Sequence, residues 1–145
     1  MKRQLPTDAH PFEVIEKANK TQPKSKRIEF LKVHADFATR TILQLNFDEN
    51  IKLDLPEGTP PYNKLAAEPG IIPTPPSSAL SNLGDLLPQN KTMDSITKEK
   101  RFIETLESLH PKDAELLIAA KDGKITEEYQ NMSKFVYTET FKSKK

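Results

Sequence analysis

Apolar side chains recur at helical spacing in three short segments near the beginning of the chain. Pro11 suits the first position of a helix, Pro23 suits the start of a second, and Asp36 is a suitable N-cap for a third. The apolar positions that define these helices are Phe12, Ile15 and Ala18, then Ile28, Leu31 and Ala35, then Phe37, Ala38, Ile42 and Leu45. This spacing predicts an N-terminal lobe of about three short helices over residues 1–54.

A second group of helical patterns lies between residues 92 and 145. Asp94 or Ser95 suits the N-cap of a helix whose apolar face contains Ile96, Phe102, Ile103, Leu106 and Leu109. Pro111 suits the start of the next helix, and Gly123 suits its left-handed C-terminal stop. These signals predict a C-terminal helical lobe.

The segment between the two helical groups is rich in proline. Residues 53–89 contain eight of the twelve prolines and three of the four glycines. Because prolines at this density favour turns and extended polyproline conformations, we predict a mainly α protein with two small helical lobes joined by a long Pro-rich extended arm over residues 55–91. Each lobe has only about 50 residues and is marginal alone, so either the lobes pack together or a partner completes them.

The arm differs from an inert spacer because it carries large apolar side chains. A plain linker is usually rich in glycine and serine or in charge. Two interpretations stay open: the arm is a flexible linker, or it docks on its own lobes or on a partner. Docking is favoured, since prolines reduce the entropy that is lost when a segment becomes ordered. The candidate partner-binding residues are Pro60, Pro61, Tyr62, Ile71 and Ile72.

Charge is unevenly distributed, although the net charge of the 145 residues is only +1. Residues 1–40 carry nine basic side chains against five acidic ones (net +4), whereas residues 41–97 carry three against seven (net −4). Basic clusters can contact nucleic-acid phosphates, and the candidates here are Lys20, Lys24, Lys26 and Arg27. A solvated helix face is the more ordinary interpretation, because no aromatic residues alternate with these bases.

Several function classes are disfavoured by composition. The chain has no cysteine, which excludes disulfides, thiolate catalysis and cysteine zinc sites and fits a reducing compartment. No apolar run approaches the roughly 20 residues of a membrane helix. No apolar segment of a signal peptide follows the basic residues at the N-terminus. We therefore expect a soluble, intracellular protein that does not bind membranes.

No catalytic constellation is recognisable in the sequence. Motifs for phosphate-binding loops, dinucleotide sites, nucleophile elbows and zinc proteases are absent. The histidines His10, His34 and His110 lie far apart in sequence, and the segment around Asp122 and Gly123 lacks the ligand positions of an EF-hand. We expect no enzyme activity, no cofactor, no metal and no small-molecule substrate.

Two blocks of sequence are distinctive: IKLDLPEGTPPY at residues 51–62, and residues 101–124, which include LESLHPKDAE. They resemble signatures of an uncharacterised family of small proteins from T4-like contractile-tailed phages (myoviruses). With the FEV-containing first helix, the resemblance spans most of the chain, although residues 135–145 lack the proline- and leucine-containing end of the family. The resemblance implies a phage setting and supplies no catalytic residues.

Three functions fit these observations. The favoured one is a non-enzymatic accessory protein that binds a larger phage or host protein assembly through its helical lobes and its arm. The alternatives are a nucleic-acid-binding accessory factor in phage replication or transcription control, and a minor structural component of the virion. The phage resemblance implies a location in the host-cell cytoplasm during infection, or in the virion.

Overall fold

The computed structural model describes residues 4–6, 9–64 and 72–142. Its helices are α1 (Pro11–Lys20), α2 (Lys24–His34), α3 (Phe37–Phe47), α4 (Pro76–Ala79), a 3-10 helix (Leu80–Leu86), α5 (Ser95–Ser108), α6 (Pro111–Lys121), α7 (Ile125–Glu128) and α8 (Lys134–Phe141). No strand occurs within the described ranges. The predicted mainly α class is therefore confirmed. Among the described helices, none is long and apolar enough to cross a membrane.

Most of the helices begin and end where their local signals indicated. The Asp36 carboxylate caps α3 by accepting a first-turn backbone N–H at 2.9 Å. Asp94 caps α5 in the same way at 2.8 Å. Pro11 and Pro111 occupy the first positions of α1 and α6. Gly123 follows α6 with φ 71°, the left-handed conformation expected of a glycine stop.

The two ends of the chain share one hydrophobic core. α1 packs on α2 and α3, α3 packs on α6, α2 packs on α8, and α5 packs on α6. Phe30 and Leu43 from the N-terminal helices and Leu117 and Val136 from the C-terminal helices are all completely buried in this core. Helices from both ends of the chain therefore build one core, and the predicted division into two small lobes is not confirmed.

The second half of the predicted arm is helical rather than extended. α4 and the 3-10 helix follow one another from Pro76 to Leu86. Leu80, Leu83 and Leu86 are spaced by three residues, which places them on one face of a helix with about three residues per turn. None of these three leucines is more than 5% exposed. Their burial against the protein's own helices explains why this stretch is helical in spite of its composition.

The two ends of the arm meet beside α5. The Asp54 N–H donates to the carbonyl oxygen of Leu86 at 2.7 Å. The Lys98 ammonium donates to Asp54 Oδ2 at 2.8 Å and to the Leu87 carbonyl oxygen at 2.9 Å. Only 2% of the Lys98 side chain is exposed. One buried cation on α5 therefore binds both the residue before the arm and Leu87 near the end of the arm.

We expect Lys98→Met to lower the free energy of unfolding by about 1–3 kcal/mol, because it leaves the Leu87 carbonyl without this donor. Asp54→Asn is the matched variant, and we expect a smaller loss from it. The Asp54 side chain is 46% exposed, and asparagine keeps an oxygen acceptor. Urea unfolding of both variants measures the difference. Equal losses of unfolding free energy in the two variants would contradict the expectation, because they would mean that only the ion pair between Lys98 and Asp54 contributes.

Candidate functional site

The LPEGTPPY loop, residues 55–62, lies against the C-terminal end of α6. The Lys121 ammonium donates to the carbonyl oxygens of Pro56 at 2.9 Å and Gly58 at 3.1 Å. It also donates to Asp122 Oδ1 at 2.6 Å. Only 3% of the Lys121 side chain is exposed. Since an ammonium has three donors, this lysine is fully occupied in holding the loop.

Gly58 completes the attachment of the loop from the other side. Its N–H donates to Asp122 Oδ2 at 3.0 Å, so the carboxylate of Asp122 binds both the loop and Lys121. Gly58 has φ 98°, a conformation that glycine adopts at little cost. Nothing lies within 4 Å of the position that a Cβ would take. The requirement for glycine at this position is therefore conformational and not steric.

The residues after the loop are attached to α5 and α6. The Asn63 N–H donates to Glu107 Oε2 at 2.8 Å. The Lys64 ammonium lies 3.3 Å from Glu115 Oε1, in an exposed ion pair that contributes little to stability. Together with the Lys98 contact to Asp54, these bonds fix the backbone on both sides of the loop. Residues 55–64, the described beginning of the arm, are thus ordered without being helical.

A cavity of about 180 Å³ lies between the loop, α5 and the end of α6. The Phe102 side chain, 1% exposed, belongs to its wall, and Glu99 adds a carboxylate. The other lining residues are Leu55, Pro56, Glu57, Gly58, Thr59, Pro60, Pro61 and Lys121. The cavity is smaller than the roughly 300–1,000 Å³ of small-molecule sites, so it suits one inserted side chain better than a cofactor or metabolite.

The predicted partner-binding residues are only partly brought together. Pro60 and Pro61 border the cavity, with Pro60 half-buried and Pro61 exposed. Tyr62 is half-buried against the core, and this burial raises the pKa of its phenol. Ile72 is 86% exposed and belongs to another region, near the end of α5. Ile71 lies outside the described residues.

Three of the four predicted nucleic-acid contacts are at the surface. Lys20, Lys24 and Lys26 are exposed around the connection between α1 and α2, and Lys26 pairs with Glu29 at 3.5 Å. Arg27 is different: it is 3% exposed, and its Nε–H donates to the carbonyl oxygen of Ala18 at 3.1 Å. Arg27 therefore joins α2 to the last turns of α1 and cannot reach a phosphate in this fold.

Phe37, one of the apolar positions that define the third predicted helix, is not buried. Its side chain is 49% exposed, and Phe135 of α8 is 55% exposed. Phe37 is the first residue of α3, and α8 does not extend far enough to cover it. Both rings lie near cations: Lys24 Nζ is 4.9 Å from the centre of the Phe135 ring, and Arg40 lines the same groove as Phe37.

Two of the histidines that are distant in sequence are neighbours in space. The ring centres of His10 and His110 are 5.1 Å apart. Asp113, 1% exposed, accepts hydrogen bonds from His10 Nδ1 at 2.9 Å and from the Phe12 N–H at 3.0 Å. The start of α6 thus binds the start of α1. The third histidine, His34, lies elsewhere and accepts backbone N–H groups of the N-terminal segment.

This junction is a contact between the starts of two helices. Within the described ranges, no group of three or more histidine, aspartate or glutamate side chains is arranged to hold a metal ion. Sequence spacing gave no sign that the two His-Pro helix starts would meet. The one available signal was their shared pattern, in which an acidic residue follows each His-Pro pair.

We expect the contribution of Asp113 to stability to decrease as the pH rises. Burial raises the pKa of this carboxyl, and the hydrogen bonds from Phe12 and His10 offset only part of the rise. The folded state therefore binds the proton more tightly than the unfolded state, in which the pKa is about 3.9. The unfolding free energy of the wild type minus that of Asp113→Asn should fall from about pH 4 upward, until the folded carboxyl is ionised. A difference that grows with pH would mean that the charged partners His10 and His110 outweigh burial.

Lys121→Met is expected to loosen the LPEGTPPY loop. The substitution removes the donor to two loop carbonyls, each such bond being worth about 1 kcal/mol, so amide exchange at Gly58 should accelerate about thirtyfold. Lys124→Met is the matched control, because its ammonium makes only an exposed contact with Glu57 at 3.7 Å. Unchanged exchange at Gly58 in Lys121→Met would contradict the assigned role of this lysine.

Comparison with known proteins places the chain in a family. No curated protein and no solved structure matches it. Residues 14–127 match the family described as "Family of unknown function (DUF6433)", and the matched region contains the LPEGTPPY loop together with its anchors Lys98, Lys121 and Asp122. Because the match covers well over half of the 145 residues, the chain belongs to the family of unknown function DUF6433.

Proposed function

We propose that the protein is a small non-enzymatic accessory protein that binds a larger protein assembly through the LPEGTPPY loop. The proposal rests on one observation: one side of the loop is bound to the protein, and the other side is exposed. Its carbonyl oxygens and the Gly58 N–H are bound from behind by Lys121 and Asp122. Its outer residues, including Pro61, remain exposed to solvent.

Pre-organisation explains why such a loop would bind well. A partner that docks on a flexible linker must order it, at a cost of about 1–2 kcal/mol for each backbone residue fixed. Here the attachments to α5 and α6, together with three prolines, have already restricted the backbone. The cavity beside Pro60 and Pro61 suits one partner side chain, the kind of buried contact that dominates many protein interfaces.

The setting of this interaction is inferred from the resemblance to proteins of T4-like phages. It implies that the partner is a phage or host protein and that the protein acts in the cytoplasm of the infected cell. If the larger assembly is the phage particle itself, the protein would be a minor structural component of the virion. Mass spectrometry of purified particles distinguishes the two locations.

A nucleic-acid-binding role is the second candidate function. The observation in its favour is that Lys20, Lys24 and Lys26 are all exposed around one helix connection. Two observations weaken it, since Arg27 is buried and Lys26 is paired with Glu29. If it is correct, replacing these three lysines by glutamine should weaken binding to DNA or RNA and reduce its dependence on salt.

The main proposal is tested by affinity purification of tagged protein from infected cells. We expect a specific protein to be recovered with the wild type and to be depleted about tenfold or more with Pro61→Arg, because a long charged side chain would block the loop surface. Gln89→Arg is the matched control, because Gln89 is also exposed and lies outside the loop. Recovery of no partner, or equal recovery with Pro61→Arg, would overturn the proposal.

A further inference from the structure

The start of α8 lies beside the connection between α1 and α2. The Asn131 N–H donates to Asn19 Oδ1 at 2.9 Å, and the Asn131 side-chain amide donates to the Asn19 carbonyl oxygen, also at 2.9 Å. Asn19 is the last residue but one of α1, and α8 begins three residues after Asn131. The two asparagines therefore hold the start of α8 near the end of α1.

This contact brings an aromatic side chain to the lysines at the helix connection. Phe135 is the second residue of α8 and is 55% exposed. Lys24, the first residue of α2, has its ammonium 4.9 Å from the centre of the Phe135 ring. Lys20 is the exposed last residue of α1, and Lys134 is the exposed first residue of α8. The surface formed by Lys20, Lys24, Lys134 and Phe135 is here called the Phe135 patch.

The ring of Phe135 is not needed to hold α8 in place. The next residue, Val136, is completely buried, and its N–H is accepted by the capping hydroxyl of Ser133 at 3.2 Å. Tyr137 stacks on Phe47 of α3, with ring centres 5.7 Å apart. Because these neighbours fix the helix, the exposed ring of Phe135 is available to a ligand.

The ammonium groups nearest the helix connection are also available. Within the described residues, no carboxylate lies within ion-pair distance of Lys20 or Lys24. Both side chains are exposed, as is Lys17 one turn before Lys20. An ammonium carries three donors, so these lysines can bind the oxygens of an anionic ligand.

Two carboxylates near the patch reduce its positive charge only in part. Glu49 lies 3.8 Å from Lys134, and Glu29 lies 3.5 Å from Lys26. All four side chains are more than half exposed. Since water and salt screen such exposed ion pairs, they are weak, and a phosphate can compete for both lysines.

An exposed ring among ammonium groups has the chemistry of a single-strand binding surface. The bases of a single strand have free faces that stack on aromatic rings, and its phosphates pair with nearby lysines. In a double helix the faces of the bases are covered by neighbouring bases, so an aromatic ring at the surface cannot stack on them. The combination therefore favours single strands over duplexes.

We propose that the Phe135 patch binds single-stranded nucleic acid. One base stacks on the Phe135 ring, and the adjoining phosphates pair with Lys20, Lys24 and Lys134. The Lys24 ammonium, which lies over the ring in the free protein, moves to a phosphate when the base takes its place. This inference rests on the second candidate function, nucleic-acid binding, and adds to it the strand type and the aromatic contact.

Fluorescence anisotropy with a labelled oligothymidylate of about twelve nucleotides, at low salt, tests the proposal. Phe135→Ser should weaken binding about tenfold and leave its salt dependence unchanged, because the ring carries no charge. Phe135→Tyr keeps the ring and should bind like the wild type. Lys24→Gln should weaken binding about threefold and also reduce its salt dependence, since one phosphate contact is lost.

The chain offers a matched control for each kind of substitution. Phe37 is another phenylalanine, 49% exposed, and it lies near the opposite end of α8. Lys64 is an exposed lysine that pairs with Glu115 on another part of the surface. Phe37→Ser and Lys64→Gln should both bind oligothymidylate like the wild type. Circular dichroism of each variant checks that the helices are intact.

The results separate this inference from the function on which it rests. No binding by the wild type at low salt would overturn both. If glutamine at Lys20, Lys24 and Lys26 together abolishes binding but folded Phe135→Ser retains it, nucleic-acid binding stands and the stacking contact is overturned. A duplex of the same length that binds as tightly as the oligothymidylate would overturn the assignment to single strands.

Two further measurements test protein occupants of the patch. Sedimentation of the protein alone tests a second copy: self-association that disappears in Phe135→Ser would assign the patch to a dimer contact and overturn the proposal. Affinity purification from nuclease-treated infected cells tests another protein. A partner that is recovered with the wild type and lost with Phe135→Ser would overturn the proposal as well. Neither readout should change in this variant if the ligand is a single strand.

Discussion

The packing of α6 against α3 determines where the other parts of the molecule lie. At its start, α6 carries Asp113, which binds the first turn of α1. At its end, α6 carries Lys121, which binds the LPEGTPPY loop. Immediately after it, the Ile125 N–H donates to Asn46 Oδ1 of α3 at 3.0 Å. One helix of eleven residues, about 16 Å long, therefore aligns the N-terminal helix with the loop.

The two described parts of the arm are held by different kinds of interaction. Only 35% of the residues are hydrophobic, so this chain has few side chains from which to build a core. Fully burying one leucine is worth about 1.5–3 kcal/mol, and Leu80, Leu83 and Leu86 are all buried. Their sum is comparable with the roughly 5–15 kcal/mol by which whole domains are stable. The leucine half therefore cannot detach cheaply, whereas residues 55–64 are held mainly by hydrogen bonds, two of them to the buried ammonium of Lys121.

Local features of this fold were predictable from the sequence, and distant contacts were not. Pro11, Asp36 and Gly123 act within one turn of their own positions, so capping chemistry located the helices correctly. The burial of Arg27 depends on the carbonyl of Ala18 in another helix. No periodicity in α2 discloses it, because a charged residue at that spacing looks like part of a solvated face.

The same limit explains the errors at the candidate site. Phe37 has core spacing within α3, but its exposure is decided by where α8 stops, a length that α3 does not encode. The prolines of the LPEGTPPY loop were recognisable as a possible binding element. Its attachment was not, since Lys121 and Asp122 resemble an ordinary charged helix end. The arm leucines were predicted to need a surface, but the choice between self and partner depended on the tertiary fold.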